Sequence, residues 1–150
     1  KLLNGNYLSL ELQRYNLRSK MINAKTNNPF QNFVGINQEK NTEEGCLLSL
    51  KLEESHFNLY GIPHGGVHST LLDIAMGIAG SYSSSKKEII STITLNLNIN
   101  FIMETKDKKL FAEGLITRRT RKLAFCEGVV HDSKSNALAT SSGVFKLIRE

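Results

Sequence analysis

Two glycines stand directly before a long apolar segment, in the stretch "PHGGVHSTLLDIAMGIAG" from Pro63 to Gly80. Gly65 and Gly66 carry no side chain, so a ligand can approach their backbone closely. The first N–H groups of a helix have no intrahelical partner, and they carry the positive end of the helix dipole. Such groups can stabilise an oxygen that gains negative charge during acyl transfer. Taken alone, a Gly-Gly pair before a helix is more often a tight turn that has no chemical role.

Asp73 is the one carboxylate in this apolar segment. On a helix it shares a flank with Ser69, Thr70 and Gly77, which lie three or four positions away. A carboxylate is costly to bury unless it is paired or hydrogen-bonded. Asp73 is therefore either a general base for hydrolysis or a structural residue that bonds Ser69 or Thr70.

The histidines and cysteines show no metal-ligand spacing. Cys46 and Cys126 lie far apart, which is typical of a reduced intracellular protein. No tight ligand motif such as H-E-x-x-H is present, so a metal site built from His56, His64, His68 and Asp73 is disfavoured. We predict neither a metal ion nor another cofactor.

Strands must supply most of the remaining structure. In "TITLNLNINF", the apolar residues Ile93, Leu95, Leu97, Ile99 and Phe101 alternate with polar ones. This predicts a strand with one packed face, and it places Thr94 on the opposite, polar face. "CLLSLKLEES" alternates in the same way, and three strand-like runs follow Phe101: "LFAEGLITR", "LAFCEGVVHD" and "ALATSSGVFKLI". An antiparallel sheet is expected.

One helix lies between the second and third strands. Only the segment from about Gly66 to Ser81 is long and apolar enough, and apolar residues cover most of its circumference. Such a helix must be surrounded by protein. Leucines and aromatics at helical spacing over Tyr7–Ile22 predict a further, N-terminal helix. The fold class is α+β, with an antiparallel sheet wrapped around one long central helix.

Composition narrows the range of partners. The 150 residues are 40% hydrophobic and 22% charged, which is typical of one globular domain. The net charge of +5 favours an anionic partner. The one basic cluster, "RRTRK" at 118–122, lacks neighbouring aromatic residues that would stack bases, so nucleic acid is disfavoured. No apolar run approaches a membrane span, so we expect no membrane partner and a cytoplasmic location, with an organellar matrix as the alternative.

The segment "HFNLYGIPHGGVHSTLLDIAMGIAG", from His56 to Gly80, carries a family resemblance. It resembles the signature H-x-N-x-x-G-x-x-H-G-G-x-x-x-x-L-x-D of hotdog-fold acyl-CoA thioesterases, in particular the phenylacetic-acid-degradation type. The resemblance extends from about Pro29 to Ile148. It therefore implies a hotdog domain over residues 29–150, preceded by a helical extension over residues 1–28.

The resemblance implies roles for individual residues in the hydrolysis of acyl-CoA to free acid and coenzyme A. Asp73 matches the general base or nucleophile, and Gly65 matches the glycine whose N–H polarises the thioester carbonyl, with Gly66 beside it. Asn58 matches an asparagine that places the water or the carbonyl. Thr94 falls where a serine or threonine assists the water, although its predicted face requires a partner subunit to meet it.

The resemblance also implies an assembly. The active site is expected across a subunit interface, with Asp73 of one chain facing Asn58 and Gly65 of another, in a homodimer or homotetramer. His64 is expected to brace the turn before the helix through a hydrogen bond.

The cluster that includes Arg118, Arg119 and Lys122 can bind the phosphates of coenzyme A. The alternative for these residues is a solvated hairpin.

Two other functions remain as alternatives. A non-catalytic acyl-CoA-binding hotdog module would bind the substrate without turnover. An acyl-thioester hydratase or dehydratase is disfavoured. Enzymes of the hotdog hydratase branch carry a histidine five positions after the helix aspartate, where Ile78 stands in this chain, and the His-containing loop and helix acid of the dehydratase branch are not recognisable.

Overall fold

The computed structural model describes residues 28–84 and 90–149. The predicted helix at Tyr7–Ile22, and almost all of the expected extension over residues 1–28, lie outside these residues. The described elements, in chain order, are α1 (Pro29–Val34), β1 (Ile36–Thr42), β2 (Gly45–Lys51), a 3₁₀ turn (Glu54–His56), α2 (Gly65–Ser81), β3 (Ile90–Phe101), β4 (Lys109–Arg119), β5 (Leu123–Asp132) and β6 (Ala137–Arg149).

The six strands form one antiparallel sheet in the order β1-β2-β4-β5-β6-β3. The sheet wraps around α2, which packs against every strand. Helix residues Leu71, Leu72 and Met76 are fully buried, and they belong to one core with strand residues such as Leu48 and Phe145. The predicted α+β hotdog architecture is confirmed, including a central helix that begins one residue before its expected start.

Helix α1 was not predicted, although its sequence carries the signals. Asn28 caps the helix by accepting hydrogen bonds from the N–H groups of Phe30 and Gln31 at 3.1 and 3.2 Å. Pro29 occupies the first turn, and Gly35 ends the helix in the left-handed conformation at φ +83°. This cap, proline and glycine pattern is a typical helix signature, but six residues are too few to show periodicity.

Glycine lets the central helix approach the sheet closely. A Cβ atom added at Gly114 on β4 would lie 2.4 Å from the carbonyl carbon and oxygen of Ala75 on α2. No side chain fits between these two backbones, so Gly114 fixes how closely the helix packs on the sheet.

A β-bulge in β3 overturns the predicted strand faces. Thr94 pairs with Phe145 and Asn96 pairs with Val144, which leaves Leu95 as an extra residue. Because one added residue reverses the alternation of side chains, Thr94 faces the helix, as Leu97 does beyond the bulge. The expectation that Thr94 lies on the face away from the core was therefore wrong.

The bulge also exposes apolar side chains on the last strand of the sheet. Ile93 is 53% exposed and Leu95 is 56% exposed, so the expectation that they lie on the packed face was wrong as well. Phe101 and Met103 are exposed near the end of the same strand. Among the strands of residues 28–84 and 90–149, β3 pairs only with β6, on one side, and its other edge has no strand partner. Among the described residues, no helix is long and apolar enough to cross a membrane.

Candidate active site

Asn58 organises the loop that leads into α2. Its Oδ1 accepts hydrogen bonds from the N–H groups of Tyr60 and Ile62, at 2.9 and 3.3 Å. Its backbone N–H donates to the Ile62 carbonyl at 2.9 Å, and its carbonyl accepts from Gly61 at 3.0 Å. Within residues 28–84 and 90–149, the amide Nδ2 of Asn58 has no hydrogen-bond partner. Asn58 thus combines a structural acceptor with an available donor.

His64 caps the N-terminus of α2. Its Nδ1 accepts a hydrogen bond from the Gly66 N–H at 2.8 Å, so the bond expected of this histidine is present. The Gly66 N–H is therefore already hydrogen-bonded. Gly66 has no side chain, which gives the His64 ring room, since a Cβ at Gly66 would lie 3.0 Å from His64 Nδ1. In the described part of the chain, the Gly65 N–H has no partner. Gly65 is thus the available donor at the positive end of the helix.

The peptide between His64 and Gly65 is polarised by its surroundings. Its carbonyl, that of His64, accepts hydrogen bonds from the N–H groups of Val67 at 2.9 Å and His68 at 3.4 Å. The Nδ1 of His68 lies 3.2 Å from the same oxygen. Because hydrogen bonds to one end of an amide strengthen the other end, these contacts make the Gly65 N–H a stronger donor.

Asp73 lies two helical turns further along α2 and is half-buried. Its Oδ1 accepts a hydrogen bond of 2.7 Å from the hydroxyl of Thr94 on β3. Ser69 instead donates to the carbonyl of Gly65 at 2.9 Å. Among the described residues, Oδ2 of Asp73 has no hydrogen-bond partner. The carboxylate is thus held by Thr94 and keeps one oxygen available to accept a proton.

Gly65 and Asp73 are too far apart to act on one bond within a single chain. Eight residues separate them, which corresponds to about 12 Å along the helix axis. The Gly65 N–H and the Asp73 carboxylate therefore lie in two separate regions of a single chain.

A cleft of about 400 Å³ opens beside Gly65. Asn58, His68 and Phe101 line it, together with apolar side chains such as Met103. The Phe101 ring lies 3.4 Å from the position of a Cβ at Gly65, so a larger residue there would press on this ring. The sequence singles out His68 only as a candidate metal ligand, and it cannot locate His68 or Phe101 in a cleft. Only the fold shows that β3 lies against the start of α2.

The basic cluster lies at the opposite end of the helix from Gly65. The guanidinium of Arg119 donates to the carbonyl of Gly80 in the last turn of α2, where the helix dipole favours positive charge. Arg118 and Lys122 are exposed. Within one chain, the structure does not bring these three residues to the Gly65 cleft.

The cysteines are buried and unpaired. Burial raises the pKa of the Cys46 thiol to about 12. Burial likewise raises the pKa of Cys126 to about 11, against the opposing charge of Arg119. Neither cysteine supplies a thiolate near neutral pH. In residues 28–84 and 90–149, no group of three or more His, Cys, Asp or Glu side chains could hold a metal ion.

Solved structures share this fold. A thioesterase of Haemophilus influenzae superposes with a TM-score of 0.73 at 17% identity, covering 81% of this chain and 84% of that chain. The phenylacetic acid degradation protein of Thermus thermophilus, solved as a mutant, superposes with a TM-score of 0.70 at 17% identity, covering 79% and 98% of the two chains.

Sequence comparisons identify the family of this chain. A Pseudomonas aeruginosa protein named "Putative esterase" is 28% identical over 108 residues, which cover 72% of this chain and 79% of that protein. The family model of the thioesterase superfamily matches residues 60–139, more than half of the chain and most of the segment between Asn58 and the start of β6. The available N–H of Gly65 and the carboxylate of Asp73 both lie within the matched residues, and the chain belongs to the thioesterase superfamily.

Proposed function

We propose that this protein hydrolyses acyl-CoA thioesters in an active site shared by two copies of the chain. Gly65 of one copy binds the thioester carbonyl oxygen, Asn58 beside it donates from Nδ2, and Asp73 of the other copy acts as general base or nucleophile. The observation that carries the proposal is the available Gly65 N–H, about 12 Å along the helix from a carboxylate with a free oxygen. Among the described residues of one chain, the region around Gly65 has a donor for the carbonyl oxygen but no nearby Asp73, and the region around Asp73 has a carboxylate but no such donor.

In the base mechanism, a water oxygen bonds to the thioester carbon while its proton passes to Asp73. Negative charge develops on the carbonyl oxygen, where the Gly65 N–H stabilises it. The carbon–sulfur bond then breaks, and the coenzyme A thiolate takes up the proton from Asp73. Thr94 holds the carboxylate in place throughout, through its 2.7 Å hydrogen bond. In the nucleophile mechanism, Asp73 attacks the thioester carbon directly and the carbon–sulfur bond breaks, releasing the coenzyme A thiolate. Water then hydrolyses the resulting anhydride to the free acid and the Asp73 carboxylate.

The exposed edge of β3 is the proposed contact between the two copies. It has no strand partner among the described residues and carries the exposed side chains of Ile93 and Leu95, and such an edge is prone to pair with another strand. Antiparallel pairing of two β3 strands would extend the sheet and bring Asp73 and Thr94 close to the second copy. Support for coenzyme A as the leaving group comes from the net charge of +5 and from the signature around Asn58.

A panel of acyl-CoA substrates with a thiol-reactive dye tests the activity. We expect thiol release by the native protein and a loss of at least tenfold in kcat for Asp73→Asn. Hydrolysis by Asp73→Asn at the native rate would refute the assigned role. After a single turnover in ¹⁸O-labelled water, label in the Asp73 carboxylate identifies the nucleophile mechanism with water attack at the Asp73 carbonyl carbon of the anhydride, because the base mechanism places the label only in the product acid.

Mixed dimers test the shared site. Asp73→Asn and Asn58→Asp proteins are each expected to keep about a tenth of the native activity or less when assayed alone. In a hybrid dimer, one site combines an intact Asp73 with an intact Asn58, so random mixing should restore about a quarter of the native activity. No recovery in hybrids, with dimers verified by light scattering, would place the whole site within one chain.

A further inference from the structure

His68 lies in the first turn of α2, three residues beyond Gly65. Its imidazole forms part of the wall of the cleft that Gly65 and Asn58 also line. The side chain is only 7% exposed, although histidine is a polar residue. A buried imidazole needs partners for both ring nitrogens, which makes the hydrogen bonding of His68 informative.

The two ring nitrogens of His68 have different roles. Nδ1 lies 3.2 Å from the carbonyl oxygen of His64, and since a carbonyl can only accept, Nδ1 carries the proton. Desolvation lowers the pKa of His68, and the bond to His64 opposes this only in part, so burial favours the neutral ring. Nε2 therefore presents a lone pair. This atom is fully buried and has no partner among the described residues.

The surroundings of Nε2 fit the acyl part of a substrate. Phe101 meets the His68 ring edge-on, with centroids 6.2 Å apart, and its ring lies 3.4 Å from where a Cβ on Gly65 would be. Phe101 is 60% exposed, so it can turn aside without disturbing the core. Ile102, Met103 and Leu138 complete an apolar wall, which suits a hydrocarbon chain better than a charged nucleotide.

We propose that His68 is a specificity-determining residue whose Nε2 accepts a hydrogen bond from a hydroxyl group on the acyl chain. The preferred substrates are then hydroxylated acyl thioesters. This inference rests on the proposed function, because it requires Gly65 to hold the thioester carbonyl in the same cleft. Since His68 and Gly65 share one helical turn, the hydroxyl lies within a few carbon atoms of the thioester, as in a 3-hydroxyacyl group.

The test compares kcat/KM for hexanoyl-CoA and 3-hydroxyhexanoyl-CoA. We expect the native protein to prefer the hydroxylated substrate by about tenfold, since an unmet buried acceptor penalises the plain chain. His68→Phe should bring the ratio close to one, and His68→Gln, which keeps an acceptor, should retain part of the preference. His131→Phe, a matched change on the outer face of the sheet, should keep the native ratio.

Two results would overturn the inference. One is a native ratio near one; the other is a ratio that survives His68→Phe. The first result is the one expected if the donor were instead an amide of the pantetheine arm, because that group is common to both substrates.

A binding experiment distinguishes a failure of this inference from a failure of the proposed function. Asp73→Asn protein is titrated by calorimetry with non-hydrolysable thioether analogues of the two substrates, hexanoyl and 3-hydroxyhexanoyl. About tenfold tighter binding of the hydroxylated analogue, lost on adding His68→Phe, supports the role of His68 even if no thioester is hydrolysed. Equal binding of the two analogues refutes it.

Discussion

The hydroxyl of Thr94 donates a 2.7 Å hydrogen bond to Oδ1 of Asp73, joining the edge strand β3 to the central helix. This contact exists because the bulge at Leu95 turns Thr94 towards the helix. It fixes one oxygen of the carboxylate and leaves the other available. Asp73 is therefore oriented by β3, one of the two edge strands of the described sheet.

Thr94→Val should lower kcat for thioester hydrolysis by roughly tenfold, because a hydrogen bond to an ionised group is lost and the carboxylate is free to rotate. The matched control is Thr92→Val on the same strand, since Thr92 bonds the carbonyl of Gly77 at 3.1 Å and does not contact Asp73. Steady-state kinetics on both variants checks this. Equal effects of the two changes would contradict a specific role for Thr94.

Asn58→Asp should separate the two functions of Asn58. The variant keeps an oxygen for the N–H groups of Tyr60 and Ile62, so the loop is retained. It replaces the Nδ2 donor with a second acceptor, so kcat/KM should fall by at least tenfold while the melting temperature changes little. Asn58→Ala, in contrast, should lower both kcat/KM and the melting temperature, because it removes the acceptor as well as the donor. Native kinetics in Asn58→Asp would show that Nδ2 has no part in the reaction.

Gly114→Ala should lower the free energy of unfolding by about 3 kcal/mol or prevent folding, because the new methyl group would overlap the Ala75 backbone. Gly128→Ala is the control. There a Cβ would meet the Leu72 and Met76 side chains at 3.1 and 3.2 Å, which can adjust, and the carbonyl oxygen of Glu113 at 3.1 Å. Urea unfolding of both variants measures the difference. Equal losses would mean that close packing at Ala75 is not the limiting contact.

His131 on β5 should make stability depend on pH. Desolvation lowers the pKa of His131. The hydrogen bonds of His131 to Glu113 and to the Asp132 carbonyl, together with the negative charges of both acids, raise this pKa by more than desolvation lowers it, so the net pKa is raised. The Nε2 to Oε1 distance is 3.2 Å. A raised pKa in the folded state stabilises the fold fully below the unfolded pKa, and this contribution is lost as pH rises through the folded pKa.

His131→Gln should therefore destabilise the protein more at pH 5.5 than at pH 8.5. Denaturant unfolding at the two pH values gives the comparison, and Glu113→Gln should show the same trend, because it removes the partner charge. A loss that is the same at both pH values would exclude the charged pair as its cause.

Local patterns in the sequence determine the strands, the enclosed helix and the family of this protein. Alternation predicts the strands, and the apolar circumference after Gly65 predicts a helix enclosed by a sheet, because both depend only on side-chain spacing. The family follows from the spaced residues between His56 and Asp73, and the fold and the superfamily are confirmed. The roles of Asn58 and Asp73 in catalysis stay predictions.

The tertiary structure decides what depends on contacts between distant residues. The bulge at Leu95 arises from pairing with β6, so alternation within β3 could not show that Thr94 faces Asp73. Only the folded turn shows that His64 occupies the Gly66 N–H and leaves Gly65 available. Hydrogen-bond partners are assigned by three-dimensional proximity, which spacing along the chain does not fix.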